Sequence, residues 1–345
     1  MRNFFSLVLS FFIIMACVPT VSLFFREEIL ENQPATHETT TAVATEKKED
    51  VSNSTSPSLF SASKKDKVSV YLHEEKKTVS VSTRFYIISV LAKEIDIDAP
   101  QEALKAQAVC IYTFLKHAEE NSQNASYDIT DDPAHHQAFL SEKKLKTFWG
   151  ENYKENYQKL EKVVNAVAGE YMTYQGKTIL AAYHSSNAGK TESAQTYWGE
   201  NYPYLTPVTS IGDTLCGSYK AKVVFTPEEL KKAITGLKNK KFTFPDSPSD
   251  WVGNIKTTPS ATVSEIEIGG VPLTGREVRE ALGLKSSFFT IRYQNGNFVF
   301  KVSGFGHGIG LSQEGAKYMA KLGFDYKSIL LHYYNGVAIK EENSI

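Results

Sequence analysis

Hydrophobic and polar positions first alternate in a regular way near position 68. Val68, Val70 and Leu72 alternate with polar residues, and Val79 and Val81 repeat the pattern after a charged Glu-Glu-Lys-Lys segment. Alternation with a period of two is typical of a strand with one buried face, and a polar break between two such runs indicates a turn. The pattern predicts a β-hairpin at the start of the folded region.

A helical period follows the hairpin directly. Ile87, Val90 and Leu91 lie on one helical face, and Glu94 occupies the next position of the same stripe. A second helix is predicted to begin near Gln101, with Asp98 as its N-cap and Pro100 in its first turn. The alanines of this second helix, at positions 103, 106 and 108, favour close packing against a neighbour.

The C-terminal third contains a second hairpin and two more helices. Alternating runs flank Asn295-Gly296, a strong hairpin signal, and Ser312 is placed to cap a helix that Gly323 ends. A last helix is predicted from Tyr326. The order of elements predicts an α+β fold, with mixed helices and antiparallel hairpins around a substrate groove.

The N-terminal residues differ from this folded region in composition. The run from Asn3 to Phe25 carries no charge and is long enough to cross a bilayer, and the flanking charges favour a cytoplasmic N-terminus. We therefore predict a transmembrane helix over residues 1–25, with a cleaved signal peptide as the alternative. Residues 26–66 are rich in Ser, Thr, Glu and Lys, which predicts a disordered tether. Residues 67–345 are then an extracytoplasmic domain of a single-pass membrane protein.

Charge and cysteine content narrow the possible partners. The 345 residues include 38 Lys and Arg against 39 Asp and Glu, so the chain lacks the basic excess of a nucleic-acid-binding protein. Of the three cysteines, Cys110 and Cys216 lie in the folded region. A disulfide between them and two buried thiols are both compatible with the sequence.

The glycine-rich stretch GFGHGIGLSQEGA, residues 304–316, resembles two known motifs without matching either. Ile309 stands where a dinucleotide loop needs its third glycine, and Glu314 stands where a nucleophile elbow around Ser312 needs its last one. Neither motif is therefore present. His307 is then either a structural histidine in a tight strand-to-helix connection or a hydrogen-bonding group beside a ligand.

Glu94 is the strongest candidate for chemistry. A carboxyl group on the apolar face of a helix has a raised pKa if burial disfavours its charge, and a raised pKa suits a general acid. The competing interpretation is a glutamate at a frayed helix end that pairs with Lys93 or Lys105.

Two further segments carry weaker signals. Asp131, His135 and His136 are weak candidates for metal ligands, but their spacing matches no metal motif, and we predict neither a metal nor another cofactor. Residues 181–205 combine small polar residues with aromatic ones, which suits a sugar site and equally an ordinary surface loop.

Three separated motifs together resemble a known family. The runs YIISVLAKEIDIDAPQEALKAQAV, AAYHSSNAGKTESA with WGENYPYLTPV, and GFGHGIGLSQEGAKYMAKLGFDYKSILLHYYNGV occur in this order. They resemble the stage II sporulation protein D family from about Val68 to the C-terminus. The resemblance implies a membrane-anchored lytic transglycosylase that cleaves the MurNAc-GlcNAc bonds of peptide-free peptidoglycan strands and leaves 1,6-anhydro ends. It also implies action during engulfment in sporulation, beside a cell-wall amidase and other engulfment membrane proteins.

The resemblance also assigns residues. Glu94 falls on the catalytic glutamate of the family, and the residues expected to bind the glycan strand are Ser185, Ser186, Tyr204, His307, Ser312, Gln313, Tyr333 and Tyr334. The sequence leaves open which of Tyr333 and Tyr334 matters. Tyr112 replaces an arginine that is common in the family, and the cysteines that bind zinc in some relatives are absent. A non-catalytic module that binds glycan and enhances an amidase is the alternative function.

Overall fold

The computed structural model describes residues 67–122, 126–132, 135–216 and 220–342. The strands are β1 Lys67–Leu72, β2 Lys77–Ser82, β3 Ile129–Thr130, β4 Glu170–Tyr174, β5 Lys177–Thr178, β6 Tyr183–His184, β7 Lys220–Phe225, β8 Val252–Thr257, β9 Val263–Ile268, β10 Val271–Leu273, β11 Phe289–Gln294, β12 Asn297–Ser303, β13 Leu311–Ser312 and β14 Ala338–Glu341. The α-helices are α1 Thr83–Glu94, α2 Gln101–Asn121, α3 Glu142–Trp149, α4 Tyr153–Asn165, α5 Ala194–Trp198, α6 Pro227–Thr235, α7 Gly275–Leu282, α8 Gln313–Lys321 and α9 Tyr326–Tyr333. This mixture of helices and small, mostly antiparallel sheets confirms the α+β prediction.

The predicted N-terminal anchor and tether, residues 1–66, lie outside the described residues. Within the part of the chain that the structure describes, no helix combines the length and apolar character needed to span a bilayer. The anchor therefore stays a prediction.

The first hairpin and helix form as the hydrophobic pattern predicts. Strands β1 and β2 pair antiparallel, and β3 joins the other edge of β1 in parallel. Ser82 caps α1 by accepting a hydrogen bond from the Phe85 N–H at 3.1 Å. The predicted stripe of Ile87, Val90 and Leu91 is buried, so α1 presents its apolar face to the core.

Helix α2 forms where it was predicted, but its predicted cap is wrong. Pro100 is the N-cap residue and provides no side-chain cap. Asp98 instead accepts a hydrogen bond from Lys159 Nζ at 2.9 Å, because the helix begins at Gln101, too far along the chain for the Asp98 carboxylate to cap it. The alanines at 103, 106 and 108 are buried as expected, and α2 packs against both α1 and α8.

Residues between 220 and 303 build a second hydrophobic core. Two three-stranded antiparallel sheets, in the orders β10-β9-β8 and β11-β12-β7, enclose it together with α6 and α7. The predicted hairpin is present, and both Asn295 and Gly296 adopt positive φ, as the tight turn requires. Trp251, Phe298 and Phe300 are among the buried residues of this core.

The glycine-rich stretch connects this second core to the rest of the fold. After β12, residues 304–310 lead into β13, which pairs in parallel with β6. Gly310 has a φ of 69°, and its Cα lies so close to the Ala182 carbonyl that an added Cβ would fall well under 3.0 Å from that oxygen. The close approach explains why glycine occupies this position. Ser312 then caps α8 as predicted, accepting from the Gly315 N–H at 3.2 Å.

Candidate active site

Glu94 is the last residue of α1, where the helix presents its apolar face to the core. Burial raises the pKa of its carboxyl group above the ordinary value. The backbone N–H of Ala138 and the hydroxyl of Tyr183 donate hydrogen bonds to this group and partly oppose the increase, as does the charge of Lys93. The carbonyl-rich C-terminal end of a helix also disfavours a negative charge. Glu94 is therefore a half-buried acid that is held in place by two donors.

The alternative of a simple surface ion pair finds no support from the two lysines considered. Lys105 pairs with Glu102 at 2.7 Å. Lys93 extends over the Phe148 ring, with its Nζ 5.6 Å from the ring centroid. Hydrogen-bond donors, rather than a lysine ammonium, thus define the immediate environment of the Glu94 carboxyl group.

The loop that supplies the Ala138 N–H is fixed to α1 itself. The Tyr86 hydroxyl donates to Gln137 Oε1 at 3.0 Å. The Ser89 hydroxyl donates to the Leu140 carbonyl at 2.6 Å and accepts from the Leu140 N–H at 2.8 Å. One helix therefore carries both the acid and the two side chains that position its backbone donor.

Tyr183, the second donor, is positioned by strand pairing. It lies in β6 opposite Leu311 of β13. Burial raises the pKa of its phenol well above the ordinary value, and the nearby Glu94 charge adds to this effect. The phenol therefore remains protonated and can donate to Glu94 throughout the physiological pH range.

His307 contacts the backbone of Tyr183, and its ring is neutral at physiological pH. Its Nδ1 accepts from the Ile309 N–H at 3.0 Å, and the ring donates to the backbone carbonyl of Tyr183. Burial, together with His184 and Arg279, lowers the pKa of His307 to about 3. Both ring nitrogens are therefore engaged by the backbone, and the predicted contact with substrate would have to use the ring face.

A buried hydrogen-bond network connects β6 with the chain that leads into β13. His184 Nδ1 lies 3.1 Å from the Ile309 carbonyl, and its Nε2 lies 3.1 Å from Asn187 Nδ2. Burial lowers the pKa of His184 to about 4. The backbone N–H of Asn187 donates to Asp213 Oδ1 at 3.0 Å.

Asp213 is the centre of this network. It is completely buried and accepts hydrogen bonds from the hydroxyls of Ser210 and Ser312 as well as from Asn187. Burial raises the pKa of its carboxyl group to about 6, although all three donors act in the opposite direction. Asp213 thus joins the start of α8 to the chain that follows β6.

The polar residues that were predicted to bind the glycan lie in or near β6 and β13. Ser185 accepts the Glu314 N–H at its carbonyl, and Ser186 pairs through its backbone with Phe305. The Ser186 hydroxyl is buried and has no hydrogen-bond partner among the described residues. Gln313 Nε2 lies 3.5 Å from Oε1 of Gln107. The role of these residues in binding stays a prediction.

The three predicted tyrosines are buried and bonded to protein groups. The Tyr204 hydroxyl accepts from the Leu180 N–H at 2.9 Å, and the Tyr333 hydroxyl lies 2.7 Å from Ser210 Oγ. The Tyr334 hydroxyl donates to the Ala182 carbonyl at 2.7 Å. Tyr334 therefore supports the residue next to Tyr183, whereas Tyr333 supports the Asp213 network.

The structure also shows the state of the two cysteines and the contact of Tyr112. Cys110 and Cys216 are not joined by a disulfide; the Cys110 thiol lies 3.3 Å from the Tyr334 hydroxyl, and burial raises its pKa to about 12. Tyr112, at the position of the family arginine, donates to Glu342 Oε2 at 2.7 Å and so ties α2 to the end of β14.

The weak metal candidates are not brought together. Asp131 Oδ1 accepts from the His73 N–H at 2.7 Å, His135 Nδ1 lies 2.9 Å from Asp132 Oδ2, and His136 Nδ1 accepts from the Thr130 N–H at 3.1 Å. No group of three or more metal-binding side chains occurs among the described residues. The loop matters in another way, since Ala138 lies two residues after His136 and its N–H donates to Glu94.

Sequence reasoning missed Tyr183, Ala138 and Asp213. Ala138 contributes only its backbone, so its residue type gives no signal. Tyr183 stands directly before the quoted His-Ser-Ser segment, and an aromatic donor beside polar residues was the signal that could have indicated it. Asp213 lies in a segment without a recognised motif.

Comparisons with known proteins place the chain in a family. The family model described as "Stage II sporulation protein" matches residues 71–174, which include Glu94 and the Ala138 loop. Stage II sporulation protein D of Bacillus amyloliquefaciens is 35% identical over 281 residues, which cover 80% of this chain and 79% of that protein. Stage II sporulation protein D of Bacillus subtilis (strain 168) is 33% identical over 281 residues, covering 80% of both chains.

A more distant similarity extends to a protein with a different name. The "Amidase enhancer" of Bacillus subtilis (strain 168) is 27% identical over 300 residues, which cover 72% of this chain and 39% of that protein. The two stronger similarities extend over about four fifths of both chains. On these grounds the chain belongs to the stage II sporulation protein D family.

Proposed function

We propose that this protein is a lytic transglycosylase of peptidoglycan, with Glu94 as its acid and base. The observation that carries the proposal is the Glu94 carboxyl group itself, which is half-buried, has a raised pKa and is oriented by Ala138 and Tyr183. A raised pKa keeps a carboxylic acid protonated closer to neutral pH, which is the state that a general acid needs.

The reaction requires one group that first gives and then takes a proton. The Glu94 carboxylic acid protonates the glycosidic oxygen of the leaving GlcNAc as its bond to C1 of MurNAc breaks. The resulting carboxylate then takes the proton of the C6 hydroxyl of the same MurNAc as that oxygen forms a bond to C1. The sugar hydroxyl is the nucleophile, so no second carboxylate or activated water is needed, unlike in ordinary glycoside hydrolysis.

The cellular setting of the proposal follows from the sequence. We propose that residues 1–25 anchor the chain in the cell membrane, that residues 26–66 tether it, and that the folded region acts outside the cytoplasm on strands whose stem peptides have been removed. An amidase is the class of enzyme that removes those peptides, and it is the expected partner together with other membrane proteins of engulfment.

The test is digestion of purified, peptide-free glycan strands followed by mass analysis. We expect the wild-type protein to release fragments whose MurNAc ends are lighter by one water than hydrolysis products. Glu94→Gln keeps the size of the side chain and one acceptor oxygen but has no acidic proton to give, so we expect a loss of at least about a hundredfold in rate. Glu155→Gln makes the same change at an exposed site on α4 and serves as the control.

One outcome would refute the assignment of Glu94, and a second would change the role of His307. If Glu94→Gln released as much anhydro product as the control, Glu94 would not be the catalytic acid. His307→Ala is expected to lose less activity than Glu94→Gln, because His307 contacts the backbone of Tyr183 rather than the proposed reacting bond. Equal losses would indicate that His307 takes part in the chemistry.

A second function is favoured by the similarity to the amidase enhancer. A non-catalytic module would bind glycan strands and stimulate an amidase without releasing any sugar product. In that case Glu94→Gln would leave the stimulation unchanged.

A further inference from the structure

One arginine near the candidate site is half-buried and has no ion-pair partner among the described residues. Arg84 pairs with Glu161 and Arg276 with Glu280, but no carboxylate of the described residues lies within ion-pair distance of Arg279. Arg279 is half-buried on α7. A guanidinium group that is partly removed from water and has no counter-charge is costly, which suggests that an anionic ligand completes its environment.

The hydrogen bonds of Arg279 orient it without using its full capacity. Its Nη1 donates to the Tyr197 hydroxyl at 3.1 Å, and its Nε donates to the Leu284 carbonyl at 3.4 Å. A guanidinium group has five N–H donors, so about three remain for another acceptor. The Tyr197 hydroxyl is in turn held by Ser287 Oγ at 3.2 Å. The cation is therefore fixed in direction, as a binding site requires.

Flat aromatic surface lies beside this cation. Trp198 follows Tyr197 on α5, and its ring centroid lies 5.2 Å from that of His307. Trp198, Tyr197 and His307 are all half-buried, so each keeps part of its surface accessible. We call Arg279, Tyr197, Trp198 and His307 the arginine cluster. A cation beside flat rings suits a sugar that carries an acidic group.

The arginine cluster is connected to Glu94 through a single residue. The His307 ring donates to the Tyr183 carbonyl, and the Tyr183 hydroxyl donates to Glu94. The Tyr183 carbonyl, which His307 contacts, is therefore separated from the Glu94 carboxyl group only by the Tyr183 side chain. This short connection is consistent with a neighbouring sugar of the same polymer reaching the cluster.

The chemistry of the glycan strand identifies the anion. The sugars of peptidoglycan are neutral except for the lactyl ether on MurNAc. Its carboxyl group is an amide while the stem peptide is attached and a free carboxylate once the peptide has been removed. We propose that Arg279 binds the lactyl carboxylate of a MurNAc residue near the cleaved bond, and that the arginine cluster thereby selects peptide-free strands. This inference rests on the proposed function, because it assumes that glycan strands bind at Glu94.

The test measures binding without turnover. Peptide-free strands are compared with the same strands after their carboxylates have been converted to methylamides, which removes the charge and adds little bulk. Isothermal titration calorimetry is performed on the Glu94→Gln protein, alone and combined with Arg279→Gln. Arg292→Gln, on the exposed end of β11, is the matched control because it removes the same charge elsewhere.

We expect the Glu94→Gln protein to bind the charged strands about tenfold more tightly than the amidated ones, since a charge-assisted bidentate contact is lost on amidation. Arg279→Gln should reduce this ratio to about one, Arg292→Gln should preserve it, and Arg279→Lys should restore part of it. Thermal unfolding of each variant shows whether it is folded.

Two results would overturn the inference. One is equal binding of charged and amidated strands by the Glu94→Gln protein, and the other is a ratio that persists in Arg279→Gln. Failure of the proposed function has a different signature: the wild-type protein would release no anhydro product from strands that it binds, whatever the ratio of the two affinities. Cleavage of strands without any preference for the carboxylate would refute the arginine cluster alone.

Discussion

The buried carboxylate of Asp213 offers a quantitative test of the structure, through replacement by asparagine. The side chain is fully buried, and its pKa is raised from 3.8 to about 6 by burial. Asparagine has nearly the same shape but no charge. The difference in the free energy of unfolding between the wild type and Asp213→Asn therefore isolates the cost of ionising a buried carboxyl group.

The magnitude follows from the shift. A group whose pKa is higher in the folded than in the unfolded protein stabilises the fold fully below the unfolded pKa, and this contribution is lost as the pH rises through the folded pKa. A rise of about two units corresponds to about 3 kcal/mol. The free energy of unfolding of the wild type, relative to that of Asp213→Asn, should therefore fall by about 3 kcal/mol between about pH 3 and pH 7, most of it above pH 4.

Urea unfolding at a series of pH values measures this difference. Any fixed cost of the asparagine, such as an imperfect contact with Ser210 or Ser312, shifts the whole curve but does not change its slope with pH. Asp246→Asn provides the control, since it makes the same replacement at an exposed position and should give a curve parallel to the wild type. The prediction is wrong if the free energies of unfolding of the wild type and Asp213→Asn differ by the same amount, within about 0.5 kcal/mol, from pH 4 to 7. Such a result would show that burial does not raise the pKa of Asp213.

The remaining predictions concern Tyr183 and the glycine-rich stretch. Tyr183→Phe removes a donor that lowers the pKa of Glu94, so we expect the alkaline limb of the kcat/KM profile to move to higher pH and the maximal rate to fall about ten- to a hundredfold. A limb that stays in place or moves to lower pH would contradict the hydrogen bond. Gly310→Ala combines a positive φ with a clash against the Ala182 carbonyl, and should cost at least about 2 kcal/mol, or roughly 4–8 °C in Tm. Gly296→Ala has the positive φ but open space, so an equal loss of Tm in both variants would show that the clash is unimportant.

Local sequence patterns predicted those features whose causes are local. The hairpin at Asn295-Gly296 follows from two residues that tolerate positive φ, and the start of α8 follows from the Ser312 hydroxyl. The stripe that ends at Glu94 predicted both the helix and an acid on its apolar face. In each case the residues that determine the structure are neighbours in the chain.

Features that depend on distant partners were beyond this reasoning. Asp98 was predicted to cap α2, but it pairs with Lys159, which lies 61 positions further along the chain. The donors of Glu94 come from a backbone amide and from a tyrosine in another strand, and neither belongs to the local helical pattern. Arg279 is one of several charges on an amphipathic helix, and only the folded structure distinguishes it from Arg276, which has its own carboxylate partner.

The short pairing of β6 with β13 has a consequence for the time at which activity can arise. The contact between His184 and Ile309 joins positions that are 125 residues apart, and the same pairing aligns Tyr183 with Glu94. During translation, the segment with Glu94 and its helix emerges long before the strand that completes its surroundings. A chain that ends early would thus carry the acid without the strand that positions its orienting phenol. If the proposed function is correct, we expect no activity until almost all of the chain has been synthesised, so that cleavage of the cell wall would wait until the whole domain has folded.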